Sequence, residues 1–205
     1  PVPDGDTGTN MSLTIGAASA ELKKSGDSAI GQAAAITAGA LLRGARGNSG
    51  VILSLLFRGL SKTLKGHDTA DGALLAAAMQ EGVASAYGAV MKPAEGTVLT
   101  VSRLAAKRAV EAAAEQNEVD YVLSEALRVG YEVLAQTTDM NPVLKKAGVV
   151  DAGGKGYLVI LEGMLASLRG EDIPEVDEDA SSKREKADFN SFSAEEITFA
   201  FDTVF

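Results

Sequence analysis

The chain has no cysteine, no tryptophan and a single histidine in 205 residues, and each scarcity narrows what it can do. Without cysteine there is no disulfide framework and no thiolate metal site, and cysteine usage gives no information about compartment. His67 stands alone in the turn Lys65, Gly66, His67, Asp68 and reads as a solvated residue. This argues against a Ser-His-Asp site and against a phosphohistidine intermediate in this domain. No run of about eighteen apolar residues occurs and no signal-peptide pattern opens the chain, so we expect a soluble, cytoplasmic protein with no membrane span. Positive charge is also short: 19 Lys and Arg face 28 Asp and Glu, a net charge of −9. That field repels nucleic acid and anionic membrane, so neither is an expected partner.

What is abundant is alanine, leucine and helical period. Segments 11–24, 28–42 and 49–64 read as helices, the third with Leu53, Phe57, Leu60 and Leu64 on one face. Asp68 or Thr69 caps a fourth that runs to about residue 90, where Lys92 and Pro93 form a loop. Segments 97–116 and 119–136 follow, the latter with Val122, Leu123, Ala126, Leu127, Val133 and Leu134 on one side. After a short turn at 142–146 comes 154–168, apolar nearly all round. Its length favours a helix over a buried strand, and its character predicts a place at the centre of a bundle. The expected fold is all-α, an antiparallel helical bundle over residues 1–170.

Composition shifts after Gly170. Residues 171–179 carry six acidic side chains in nine, with Pro174 among them, so 171–195 reads as a solvated linker. In 196–205, Ile197, Phe199, Phe201 and Phe205 alternate with polar residues, the pattern of a strand. An isolated strand does not survive in water. It either docks on the bundle or, the reading preferred here, begins a following domain.

The chemistry concentrates in the opening residues, where Asp4 and Asp6 flank Gly5 and lead through Thr7, Gly8, Thr9 and Asn10 into a helical pattern. Two hard carboxylates one residue apart suit Mg²⁺, which binds through a few carboxylates and substrate phosphate oxygens. Thr9 or Asn10 is the expected N-cap, turning exposed N–H groups and the helix dipole toward the same spot. The alternative is an ordinary capped turn. Three more loops of glycine and small polar residues precede helices: 44–50, with Arg46, Asn48, Ser49 as a cap and Gly50; 93–97, ending in Thr97 as a cap; and 151–156, with Asp151, Ala152 and Gly153. If alternate helices start at one end, all four loops gather there, and several helix dipoles at one rim make a phosphate site.

These four motifs, in order, resemble the signature loops of the dihydroxyacetone kinase L-subunit family over about residues 1–170, and in detail those of its fatty acid kinase branch. The resemblance implies a barrel of eight helices that binds ATP or ADP at one rim with Mg²⁺, two ions in that family. By the same resemblance the first helix and a further metal ligand would precede Pro1. It makes Asp4 and Asp6 the catalytic metal ligands. Thr7, Gly8, Thr9, Asn10, Asn48, Ser49 and Gly50 would hold phosphate, backbone N–H groups of residues 8–10 and 48–50 doing most of it. Thr97, Asp151, Ala152 and Gly153 would lie near the adenine or ribose. Relatives of the dihydroxyacetone type carry histidine after the second aspartate, where this chain has Thr7, and Pro3 precedes the first. That departure favours transfer of the γ-phosphoryl group to the carboxylate of a fatty acid held by a separate carrier protein, with a homodimer formed through a later part. A dihydroxyacetone kinase nucleotide subunit using resident ADP, and a non-catalytic helical scaffold, are the alternatives.

Overall fold

A computed structural model describes residues 5–26 and 28–172. Among these residues there are eight helices: α1 (Thr7–Ser25), α2 (Ile30–Gly44), α3 (Gly47–Leu64), α4 (Gly72–Ala89), α5 (Val98–Glu115), α6 (Val119–Met140), the short α7 (Pro142–Ala147) and α8 (Ala152–Arg169). The fold is the expected all-α bundle. The linker expected at 171–195, save its first two residues, and the strand expected at 196–205 lie outside the described residues, as does Asp4.

Successive helices pack on one another from α1 to α6, and α8 closes the arrangement by contacting α1, α5 and α6. Leu41, Leu53, Val101, Val122 and Leu158 are fully buried in the core. Each such side chain contributes about 1.5–3 kcal/mol relative to exposure. Alanine and glycine let backbones come close where helices cross. At the α3–α4 crossing, a Cβ on Gly59 would overlap the Glu81 carbonyl, and one on Gly82 would lie 2.5 Å from the Leu56 carbonyl oxygen.

Two expectations need correction. Helix α8 is not central: Val159 and Leu168 are about half exposed, at 49% and 53%, and Lys155 and Glu162 share its outer surface. Its buried stripe is Tyr157, Leu158, Leu161 and Leu165, a one-sided pattern that the exposed apolar side chains of Val159 and Leu168 disguised as all-round apolarity. Helix α4 is capped neither by Asp68 nor by Thr69 but by Asp71, whose carboxylate accepts the Leu74 N–H at 2.9 Å. The nearer candidates sit in a turn whose carbonyls, those of His67 and Asp68, accept N–H groups from the start of α2.

No described helix is long and apolar enough to cross a membrane.

Candidate functional site

Antiparallel packing brings four helix N-termini to one rim. A Cβ on Gly47 at the start of α3 would lie 2.7 Å from Asn10 Nδ2 on α1. Met11 of α1 lies against Gly156 of α8, and Gly153 of α8 against Val98 of α5. The rim therefore runs α3, α1, α8, α5, and all four motifs meet there.

The helices begin earlier than their sequence pattern suggests, and this changes which groups face outward. Asp6, not Thr9 or Asn10, is the N-cap residue of α1, and Arg46, not Ser49, is that of α3. The Asn10 N–H is bonded to the Asp6 carbonyl at 2.9 Å and the Gly50 N–H to the Arg46 carbonyl at 3.0 Å. Those two groups are the first closed bonds of their helices. The donors without an intrahelical partner start instead at Thr7 and Gly47, one turn earlier. Neither N-cap residue offers its own helix a side-chain acceptor. Hence α1 and α3 reach the rim side by side without side-chain caps, with Gly8, Thr9 and Asn48 exposed and Ser49 half-buried.

Between them runs a polar seam. Asn10 Nδ2 donates to Asp6 Oδ2 at 2.7 Å. One turn further, the wholly buried Thr14 donates its hydroxyl to the Asn10 carbonyl at 2.7 Å and accepts the Arg46 N–H at 3.1 Å. Gly50 is buried because a Cβ there would stand 2.5 Å from Thr14 Oγ1. Gly47 has φ of +57°, a conformation glycine adopts without strain, and its missing side chain is the space the Asn10 amide occupies.

The other two N-termini are closed by the protein itself. Asp151 Oδ2 accepts the Gly154 N–H at 2.6 Å, so this side chain caps α8. Asp151 is 5% exposed. Burial pushes its carboxyl above the usual aspartate range, against the opposing pull of the Gly154 and Val98 N–H groups. Thr97 caps α5 as expected, accepting the Leu99 N–H at 3.4 Å and donating to the Ala94 carbonyl at 2.8 Å. The loop before it is tied down by Glu95, whose Oε2 accepts the Thr100 hydroxyl at 2.8 Å and Arg103 Nη2 at 2.9 Å. Arg103 in turn donates to the Tyr87 hydroxyl at 3.0 Å.

So the described members of the predicted set converge on one rim but do different jobs. Asp6, Thr7, Gly8, Thr9, Asn48 and Ser49 line the start of α1 and α3. Gly50 and Gly153 are close-packing positions, Asp151 is turned into the protein, and Ala152 is exposed beside it. The Asn10–Asp6 bond, Thr14, and the Glu95–Arg103–Tyr87 tie were missed at the sequence level. The only signal was a polar Asn10 and Thr14 at helical spacing on a face otherwise facing the core.

Asp6 supplies one hard oxygen donor beside the donors of two helix starts, a set whose chemistry fits a divalent cation held together with phosphate. Among the described residues no group of three or more acidic or histidine side chains is arranged so that it could hold a metal ion.

Residues 1–166 match the DAK2 domain. Over 209 residues the chain is 43% identical to protein YloV of Bacillus subtilis (strain 168), covering 99% of this chain and 38% of that protein. It is also 42% identical over 207 residues to an uncharacterised protein of Staphylococcus haemolyticus and 41% identical over 208 residues to one of Staphylococcus saprophyticus, again spanning 38% of each. The chain thus spans well under half the length of these relatives. With four ordered motifs folded onto one rim and a match running through α1 to α8, the chain belongs to the DAK2 domain family, the kinase-related family of dihydroxyacetone kinase L-subunit-like domains.

Proposed function

We propose that this chain is the nucleotide-binding domain of an ATP-dependent kinase whose acceptor is the carboxylate of a fatty acid presented by a separate carrier protein, the product being an acyl phosphate. The observation that carries the kinase reading is the pair of helix starts without side-chain caps at α1 and α3, with the Asp6 carboxylate held between them. N–H groups of the first turns, from Thr7 and from Gly47, would bind and orient the phosphates, adding the positive ends of two helix dipoles in a chain whose overall charge repels them. Asp6, with Asp4, would hold Mg²⁺; when bound, that ion neutralises charge building on the transferred phosphoryl group. Arg46, exposed at the same helix start, is placed to approach phosphate oxygens. Thr97 and the 151–153 turn would border the nucleoside.

The side chains need supply no general base, because a carboxylate acceptor is already ionised near neutral pH. What they supply is position and a fixed field, which is most of what phosphoryl transfer asks of a protein. The fatty acid reading is supported by Thr7 where the dihydroxyacetone branch carries histidine, and by Pro3.

Three measurements test the proposal. ATP should raise the melting temperature in a Mg²⁺-dependent way; no shift would sink the kinase reading in favour of a scaffold. Co-purification with stoichiometric ADP would move it to the dihydroxyacetone kinase subunit. Acyl-phosphate formation that requires a lipid-loaded carrier supports the fatty acid reading, and turnover on dihydroxyacetone without any fatty acid activity defeats it.

A further inference from the structure

Tyr157 lies in the core with its hydroxyl unbonded. The residue is 5% exposed, and Oη makes no hydrogen bond among the described residues. A buried tyrosine ordinarily finds a partner for its O–H, because an unpaired donor loses its solvation without return. No described side-chain nitrogen or oxygen that is closed off from solvent lacks a partner, so Oη opens onto space that water can enter.

The helix that carries Tyr157 says where that space lies. Helix α8 starts at the rim with Ala152, and Tyr157 follows five residues on, roughly 7.5 Å along the axis at 1.5 Å per residue. Helical side chains lean toward the N-terminus of their helix, which directs the phenol back up to the rim. Gly153, one turn earlier on the same face, packs against Val98 at the start of α5, and Gly156 packs against Met11 of α1. The hydroxyl therefore points up between α8, α5 and α1, beneath Thr97 and the 151–153 turn. Burial pushes the phenol above the ordinary tyrosine range, so it stands there as a neutral donor.

We propose that Tyr157 is a ligand-contacting residue of the rim site, its hydroxyl donating a hydrogen bond to the nucleoside of a bound nucleotide, at a ring nitrogen or a ribose oxygen. This rests on the nucleotide reading given above. The rim runs α3, α1, α8, α5, and the N–H groups open to phosphate start at Gly47 and Thr7, on α3 and α1. A ligand lying along the rim with its phosphates at that end brings its nucleoside over α8 and α5, where Tyr157 supplies an unpaired donor from below.

The test compares the 205-residue chain with its Tyr157→Phe variant, which keeps the ring in place and removes only the O–H. Calorimetry measures binding of ADP and of tripolyphosphate, each with Mg²⁺, alongside the melting temperature of each unliganded protein. The expected result is a loss of about 3–10-fold in ADP affinity, the effect of one neutral hydrogen bond, with tripolyphosphate affinity within about twofold of the parent. The unliganded melting temperature should hold or rise, because no bond inside the protein is lost. Equal losses for ADP and tripolyphosphate would overturn the nucleoside contact while leaving the nucleotide reading intact. A lower melting temperature accompanying the loss would make the hydroxyl an internal structural group and overturn the proposal, as would unchanged ADP affinity. If the parent chain binds neither ligand, the nucleotide reading falls and takes this proposal with it.

Discussion

The helix pair α1 and α3 and the pair α5 and α8 start at the same rim, from motifs of similar composition, and end up chemically opposite. Asp151 and Thr97 each accept a first-turn N–H of their own helix, whereas Asp6 bonds to Asn10 and Arg46 gives α3 no side-chain acceptor. Two aspartates at helix N-caps thus have unlike environments. Asp151 is buried and its carboxyl is pushed up by desolvation, while Asp6 is half-buried at the surface. The lesson is that glycine-rich, polar helix starts are not equivalent binding elements: a cap side chain that bonds its own helix leaves fewer first-turn donors for a ligand.

The sharpest way to break this contrast is at the two aspartates. In the complete kinase, Asp6→Asn should cut phosphotransfer by at least about 100-fold, since an anionic ligand at the phosphate site is lost. Asp4→Asn should behave alike. The unliganded melting temperature of Asp6→Asn should be unchanged because Asp6 caps nothing. Near-parental turnover in both variants would remove the metal assignment.

Asp151→Ala should act on stability, costing about 1–2 kcal/mol in denaturant unfolding as the Gly154 N–H loses its acceptor. Asp151→Asn should cost much less. Its amide oxygen still accepts, and a buried charge has been removed. Equal losses in the two variants would show that the charge, not the cap, is what matters at this position.

A smaller effect separates the caps themselves. Thr97→Ala should cost about 1 kcal/mol, while Ser49→Ala should stay within about 0.5 kcal/mol, because Ser49 lies inside the first turn of α3. A loss at Ser49 as large as that at Thr97 would restore it as a cap and erase the distinction between the two pairs.

The smallest effect expected is in the acid limb of stability, which also separates the rim from the opposite end. Arg108 binds Glu115 and Glu125, joining α5 to α6; it holds the Glu115 carboxyl down at about 2, while Arg128 and then Arg108 hold Glu125 at about 2. A carboxyl lowered in the folded state protonates more readily unfolded, so this contribution is present above the ordinary glutamate value of 4.5 and fades as pH falls toward about 2. Arg108→Ala should weaken that limb, chiefly at Glu115, without altering nucleotide binding, since Arg128 still holds Glu125. Asp151 has the opposite sign: its raised folded value favours the protonated form, so its ionisation erodes stability as pH rises past 3.8. Asp151→Asn should remove that second component alone.

Much of the architecture was legible before folding was considered. The faces of α3 and α6 follow from the spacing of Leu53, Phe57 and Leu64 and of Val122, Ala126 and Val133, all buried as their period requires. Helix ends were less legible. A start is set by backbone conformation, and neither Asp6 nor Arg46 makes the side-chain cap by which a start is usually recognised. The outer face of α8 was misread because it carries large apolar side chains, Val159 and Leu168, that stand exposed.

By itself, then, the sequence determined the all-α class, the helical faces and the four motifs whose order marks the family, because those depend on periodicity and on residue types that act locally. Only the tertiary structure decided which motif keeps its donors. That depends on contacts between chain segments far apart in sequence: Asn10 against Gly47, Thr14 against Arg46, and Gly153 against Val98. A carboxylate beside a helix start has two competing uses, capping the helix or facing a ligand, and the balance is set by whichever neighbour folding brings within hydrogen-bond reach.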